Sequence, residues 1–283
     1  YDGGNVGIQN TNPIHALTIG SHSNVYANTV RSSIGFSSNI IINSDSTAGP
    51  SVAIGYASGQ NNQGINSVAL GTQSGNTSQG NASIAIGYNA GNGLQNNRSI
   101  AIGESAGSSS QGLNSIAVGY DAGKDSQSQD SIAFGRDAGK TGQGVESIAI
   151  GLGAGRDLQD YETIAIGKNA GATNQSHVAI AIGTSSGGTS QNSYAVAIGR
   201  LAGNNTQGYE AISIGNEAGK NTQNTRSIAI GAFSGVTNQG YESVALGKSA
   251  GTISQNSYSI AIGTNAGHTN QGTESIVIGN EAG

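Results

Sequence analysis

Along most of this chain, two bulky apolar residues flank one small residue, and the triplet returns every sixteen positions. Residues 147–162 (SIAIGLGAGRDLQDYE) show the whole unit. Position two is Ile or Val (Val52, Ile84, Ile148, Val196), and position four is Ile, Leu, Val or Phe (Ile54, Leu70, Val118, Phe134). Alternation rich in β-branched residues predicts a short strand, with positions two and four on one face and three and five on the other. The larger pair is expected to point into the coil. A glycine at position five predicts a turn, because glycine takes positive φ at no steric cost. Position eight, Ala or Ser, is expected to pack inward, and the glycine at position nine to make a second corner. Positions ten to twelve vary among polar residues, as an exposed segment does.

The pattern runs from residue 51 to residue 283 without insertion or deletion. Position five is glycine in fifteen units of fifteen, position nine likewise, and position thirteen is glutamine in fourteen of fourteen. A globular fold does not need such spacing, whereas a stack of coils does, since each coil hands its hydrogen bonds and core to the next. The expected fold is all-β, a parallel β-solenoid (β-roll) with one coil per sixteen residues. Residues 51–283 form about fifteen coils, and residues 1–50 form a non-repeat segment and cap. At roughly 4.8 Å per coil the array is a rod of about 70 Å. The chain starts at Tyr1, has no methionine and stops nine residues into its last unit. It therefore reads as a fragment of a longer protein.

Two columns need their own account. The glutamines, among them Gln95, Gln111, Gln127, Gln143, Gln159, Gln175 and Gln191, are expected to stack in register and form an amide ladder. A polar track that contacts a ligand is the functional alternative. The third position is almost always alanine, with Ser213 and Val277 as exceptions. A solvent-facing strand residue has no reason to stay this small. Ala101, Ala117, Ala133, Ala149 and Ala165 are therefore candidates for a subunit interface where a second chain approaches closely. The other reading is that alanine fills a thin part of the chain's own core.

The Ser-Ile-Ala-Ile-Gly-x-x-Ala segment resembles the head repeats of trimeric autotransporter adhesins of the YadA type. The resemblance covers the first eight positions of every repeat in residues 51–283. It implies left-handed parallel β-rolls that associate as homotrimers. The chain departs in repeat length, sixteen against a typical fourteen, and in its glutamine column. Long arrays of this form resemble surface fibres of large viruses and phages. Residues 4–20 (GNVGIQNTNPIHALTIG) resemble a segment of such fibres, with Gln9-Asn10 replacing the usual small residues. Residues 21–50, with an apolar cluster at 40–42, read as an irregular leading coil.

Composition narrows the chemistry. Charged residues are 10% of the chain, against roughly 25% in ordinary domains, so the surface is mostly Ser, Thr, Asn, Gln and Gly, with part of it available to other chains. The net charge of −5 offers no basic patch for nucleic acid and no polybasic membrane anchor. No apolar run approaches the roughly 20 residues of a membrane span. With no cysteine, disulfides and thiol chemistry are out. The four histidines, His15, His22, His177 and His268, share no offset and read as decoration. Gly-Lys pairs such as Gly139-Lys140 fall at positions nine and ten and open no helix, so they are not phosphate loops. The few acids shift column, so neither a metal site nor a cofactor is expected. Acids gather loosely at position sixteen (Asp130, Glu146, Glu162, Glu210, Glu242, Glu274), and the default reading is a solvated face.

Beside these acids stand Tyr161, Tyr209 and Tyr241, with Tyr194 and Tyr258 one position on. They are candidate surface contacts for a glycan or protein, or ordinary strand formers on a pleated surface. The leading functional expectation is non-enzymatic: a structural and adhesive fibre, outside a virion or cell, that attaches to a host surface. An ice-binding solenoid is the alternative from another class, but Asp125, Asp157 and Ile253 interrupt its threonine column. A shaft with no ligand is the third reading. A fibre enzyme ranks last, since no coil departs to form a cleft with paired carboxylates.

Overall fold

The computed structural model describes residues 39–43 and 50–283. The described chain is all-β, a solenoid of about 14 turns at ~16 residues per turn, with no helix. Each coil contributes one strand at positions two to four, as in Ile148–Ile150, and most add a second of two or three residues that ends at position thirteen, as in Asp157–Gln159. The first set forms a front sheet and the second a back sheet. Pairing between successive coils is parallel and in register, Ile148 on Ile164 and Ala149 on Ala165 in front, Gln159 on Gln175 behind. A constant sixteen-residue period allows no other register, since a slip would put the wrong column on each face.

Hydrogen bonds join neighbouring coils outside the strands as well. The Gly155 amide donates to the Ala170 carbonyl at 2.9 Å, and the Glu162 amide to the Val145 carbonyl at 2.9 Å. The corners that make this possible use left-handed backbone. Position five has φ of 122° to 135°, position nine φ of 50° to 54° from Gly59 to Gly267, and position sixteen is left-handed even at Val178 (φ 55°). A β-branched residue in that region costs of order 1–3 kcal/mol. The Val178 amide still makes its bond to the Tyr161 carbonyl of the preceding coil, at 3.2 Å. Stacking thus imposes on position sixteen a conformation its residue type disfavours.

The interior corrects the expected packing. The alanines of position three, including Ala101, Ala117, Ala133, Ala149 and Ala165, are 0% exposed within their own chain. They join the alanines of position eight, such as Ala106 and Ala154, in one continuous core. Positions two and four point outward instead, with Ile150 37% and Phe134 54% exposed. The alanine column therefore cannot be the surface that meets another subunit. The physical reason is the thinness of the coil. Two sheets joined by tight glycine corners leave room for a methyl group and one extended glutamine, and not for facing rows of isoleucine.

At the start of the array, the strand Asn39–Asn43 runs antiparallel to Ser51–Gly55, with Ile40 opposite Ile54 and Ile42 opposite Val52. It occupies the first edge of the front sheet, where a preceding coil would otherwise pair. The expectations for residues 1–38 and 44–49, including the fibre-like segment 4–20, lie outside the described residues.

Candidate functional site

The buried glutamines organise each coil from within. All fourteen, from Gln63 to Gln271, donate from Nε2 to the carbonyl of position two in their own coil, as Gln159 does to Ile148 at 3.0 Å and Gln175 to Ile164 at 2.9 Å. The side chain thus crosses the interior and ties the back sheet to the front. Amide-to-amide bonds between coils are secondary. They join Gln95 to Gln111, Gln127 to Gln143, Gln159 to Gln175 and Gln175 to Gln191, at 3.2 to 3.3 Å, and two further pairs. No such bond runs from Gln111 to Gln127 or from Gln143 to Gln159. The column is therefore a set of rungs within coils, with an interrupted ladder along the axis. Buried at 2% exposure or less from Gln95 to Gln191, it offers no exposed polar track.

This arrangement explains position nine. A Cβ on Gly155 would lie 2.6 Å from Oε1 of Gln159, so glycine is the residue that lets the amide lie flat against the corner. It also leaves some oxygens without partners, those of Gln95, Gln127 and Gln159 among them. Ser213, the one serine in the alanine column, supplies the missing donor: its Oγ lies 2.6 Å from Oε1 of Gln223, ten residues on. Gln159 is likewise ten residues after Ala149. Ala149→Ser is accordingly expected to stabilise the fold by about 0.5–1.5 kcal/mol, the net worth of a buried hydrogen bond. A rise in the thermal midpoint checks it, and an unchanged or lower midpoint counts against this role for Ser213.

The outward surface carries two continuous features. The first is the front face, where positions two and four of every coil stand side by side in two apolar columns, half-buried or exposed. Scattered surface hydrophobics are normal, but a contiguous apolar strip along a rod marks an interaction surface.

The second is the edge formed by positions fifteen and sixteen. Tyr161, Tyr194, Tyr209 and Tyr258 are exposed there, and Tyr241 is half-buried. The structure brings four of the coils into one stack through a residue that sequence reasoning set aside. His177 lies 3.8 Å from Tyr161 and 5.4 Å from Tyr194, centre to centre, and Tyr194 meets Tyr209 edge-on at 5.6 Å. The available signal was its column, since His177 shares position fifteen with Tyr161, Tyr209 and Tyr241. Tyr241 and Tyr258 form a second edge-on pair at 5.6 Å. Arg226 stands between the two groups. It bonds Glu210 at 2.9 Å, Glu242 at 3.2 Å and the Tyr241 hydroxyl at 3.0 Å. Partial desolvation and Glu210 push the Tyr209 phenol up, and a hydrogen bond to Glu242 does the same for Tyr241, so both remain neutral donors.

The opposite edge, positions six to ten, holds ion pairs. Lys140 lies 2.9 Å from both Asp121 and Asp137, and Lys124 lies 3.2 Å from Asp121. Burial would raise the Asp121 carboxyl, but the hydrogen bonds and charges of Lys140 and Lys124 outweigh it and hold it below its ordinary value. This contribution is present above the ordinary carboxylate range and is lost as pH falls through the lowered value. Among the described residues no group of three or more acidic or His side chains is placed to hold a metal ion, and no helix is long and apolar enough to cross a membrane.

Fold and surface together define a parallel β-solenoid repeat protein whose conspicuous outward feature is an apolar face running its whole length. Two stretches, residues 63–90 and 96–122, match the YadA head domain repeat. Each match ends at a buried alanine of position eight, Ala90 and Ala122, and spans two front strands. No curated protein and no solved structure matches the chain.

Proposed function

We propose that this chain is part of an adhesive surface fibre, in which three copies associate through their isoleucine faces and the assembled rod attaches to a host surface. The observation that carries the proposal is the outward front face. Two unbroken apolar columns are too costly to leave in water, and a second copy of the same chain offers a matching strip at every coil. The similarity to YadA head repeats supports both the number of copies and adhesion as the general role. Residues 1–50 then cap the array and residues 51–283 form its shaft. The rod lies outside the cell or virion that bears it.

Exposed residues of such an assembly recur in three copies, so weak contacts add through multivalency, raising avidity by roughly 10²–10⁴. The aromatic edge of Tyr161, His177, Tyr194, Tyr209, Tyr241 and Tyr258 is the surface best suited to hold a glycan or protein, because it offers ring faces and phenol hydroxyls along one edge.

Self-association has a direct test. Ile150 and Ile166 lie outside the alanine core, so Ile150→Arg/Ile166→Arg is expected to keep the β-solenoid circular-dichroism signal. Removing two isoleucines from each interface should weaken association more than about a hundred-fold, at 1.5–3 kcal/mol per buried side chain. Sedimentation at micromolar concentration reads this as trimer passing to monomer. A wild-type chain that sediments as a monomer overturns the proposal. For adhesion, the assembled fibre is applied to host cells and a glycan array, with and without the five tyrosines changed to serine. Binding that survives the change removes the aromatic edge from the reading.

A further inference from the structure

The front face is bordered by two rims of mostly exposed residues, position six on one side and position sixteen on the other. In a coil running through positions sixteen, two, four and six, these side chains share the outward parity, while positions one and three point inward. Ser147 and Ala149 are buried, whereas Glu146 and Ile150 are exposed. The residues that border one level of the face are therefore six apart in the chain.

Charges on the two rims are correlated level by level. Asp130 stands across from Arg136, Glu162 from Lys168, and Glu242 from Lys248. At one level the signs are exchanged, with Arg98 across from Glu104. These are the four levels at which both rims are charged, and every one joins opposite signs. The exchanged level matters most, because a simple excess of acid on one rim and base on the other would not produce it. The fifth charged residue of position six, Arg200, faces Tyr194 and bonds Glu217 of its own chain.

The pairing cannot serve the single chain. The partners stand at opposite ends of a three-residue front strand, each beyond a corner of the coil. None of the four pairs is an ion pair within the described chain, where Glu242 meets Arg226 at 3.2 Å and Arg136 meets Asp137 at 3.9 Å instead, and all eight side chains belong to exposed residues. Where copies stand parallel around an axis with their front faces inward, however, position six of one copy meets position sixteen of the next at the same level. An antiparallel arrangement instead sets like rims together, and would bring the acids of position sixteen towards one another.

We infer that these rims are a register code for self-assembly: Arg98, Asp130, Glu162 and Glu242 of one copy pair with Glu104, Arg136, Lys168 and Lys248 of its neighbour, which fixes copies parallel and level. This rests on the proposed association through the isoleucine face and adds what that face cannot supply. Two uniform apolar columns look the same after a slip of one coil, so the apolar face alone does not specify axial position. A slip of one coil in one direction would leave Lys168 opposite the acid Glu146 but set Glu104 opposite Ala82 and Arg98 opposite Tyr120; in the other direction it would set Lys168 opposite the uncharged Val178 and Glu104 opposite Asn114, so several levels are broken either way.

The test is a charge exchange in the full chain. Glu162→Lys and Lys168→Glu, made singly, each set like charges across every interface and are expected to raise the dissociation constant at least about tenfold at low salt. The loss should largely vanish at 1 M salt, where screening acts within about 3 Å. The double exchange restores opposite signs and is expected to return the constant to within about threefold of wild type. Single exchanges without effect, or a double exchange as weak as the two singles combined, would overturn the code while leaving a trimeric wild type, and hence the isoleucine face, intact. A monomeric wild type would overturn both. Orientation has a separate reading, because the chain has no cysteine of its own. Glu162→Cys/Lys168→Cys treated with a short bismaleimide should give a covalent ring of copies. Cross-linked dimers from Glu162→Cys alone would mean that like rims meet, which sinks the parallel arrangement.

Discussion

Gly151→Ala is expected to destabilise the solenoid by at least about 3 kcal/mol. Two effects act together at this position. Its φ of 122° lies in a region that L side chains rarely adopt, with a cost of order 1–3 kcal/mol. A Cβ there would also meet the carbonyl oxygen of Gly167 at 2.8 Å and its carbon at 2.9 Å. That neighbour is backbone, and the Gly167 amide is bonded to the Ile150 carbonyl at 2.8 Å, so it cannot step aside without breaking the ladder. The same column recurs at Gly135 and Gly167 with the same contacts, so strain in one coil is passed to both neighbours. Gly272→Ala is the matched control, since nothing lies within 4 Å of a Cβ at that position, and its effect should stay within about 0.5 kcal/mol. Denaturant unfolding of the two variants decides the matter, and equal shifts would remove the backbone-stacking account of the glycine column.

Gln159→Leu is expected to cost about 2–4 kcal/mol. The substitution keeps the volume but removes the donor that reaches the Ile148 carbonyl and Oε1 of Gln175. The Gln175 amide is buried and Ile148 is half-buried, and a buried acceptor left without a partner costs about 1–3 kcal/mol. The loss should fall chiefly on the link between front and back sheets, because the bond to Ile148 is the one that every coil repeats. Thr173, whose side chain sits at the variable eleventh position, provides the comparison. Thr173→Leu should change stability by less than about 0.5 kcal/mol. If both variants melt alike, the glutamine column does not hold the sheets together.

Much of this molecule was legible in the order of its residues. A strict period of sixteen, with strand-forming triplets and glycine at two corners, leaves a parallel stack of coils as the way to satisfy every repeat at once. The burial of glutamine followed too, since a polar residue kept in every unit beside a glycine corner has an internal partner to find. Which partner was less plain. The expected coil-to-coil ladder is the interrupted contact, and the bond within the coil is the constant one, because only the folded cross-section shows the position-two carbonyl within reach.

The face of the strand is where sequence alone misdirected the reading. Alternation divides positions two and four from position three, but it is silent on which set points inward. Size favours isoleucine for a core, and that preference holds where sheets are wide apart. Here the distance between the two sheets decides, and that distance is a tertiary quantity set by glycine corners and a glutamine that must span the gap. Alanine fits inside and isoleucine is turned outward, so the surface proposed for association is Ile148 and Ile150 and not Ala149. The aromatic edge has the same origin. Tyr161, His177 and Tyr194 occupy two columns and look scattered along the chain. They become neighbours only because each turn of the solenoid returns the chain to the same edge, one coil further along the axis.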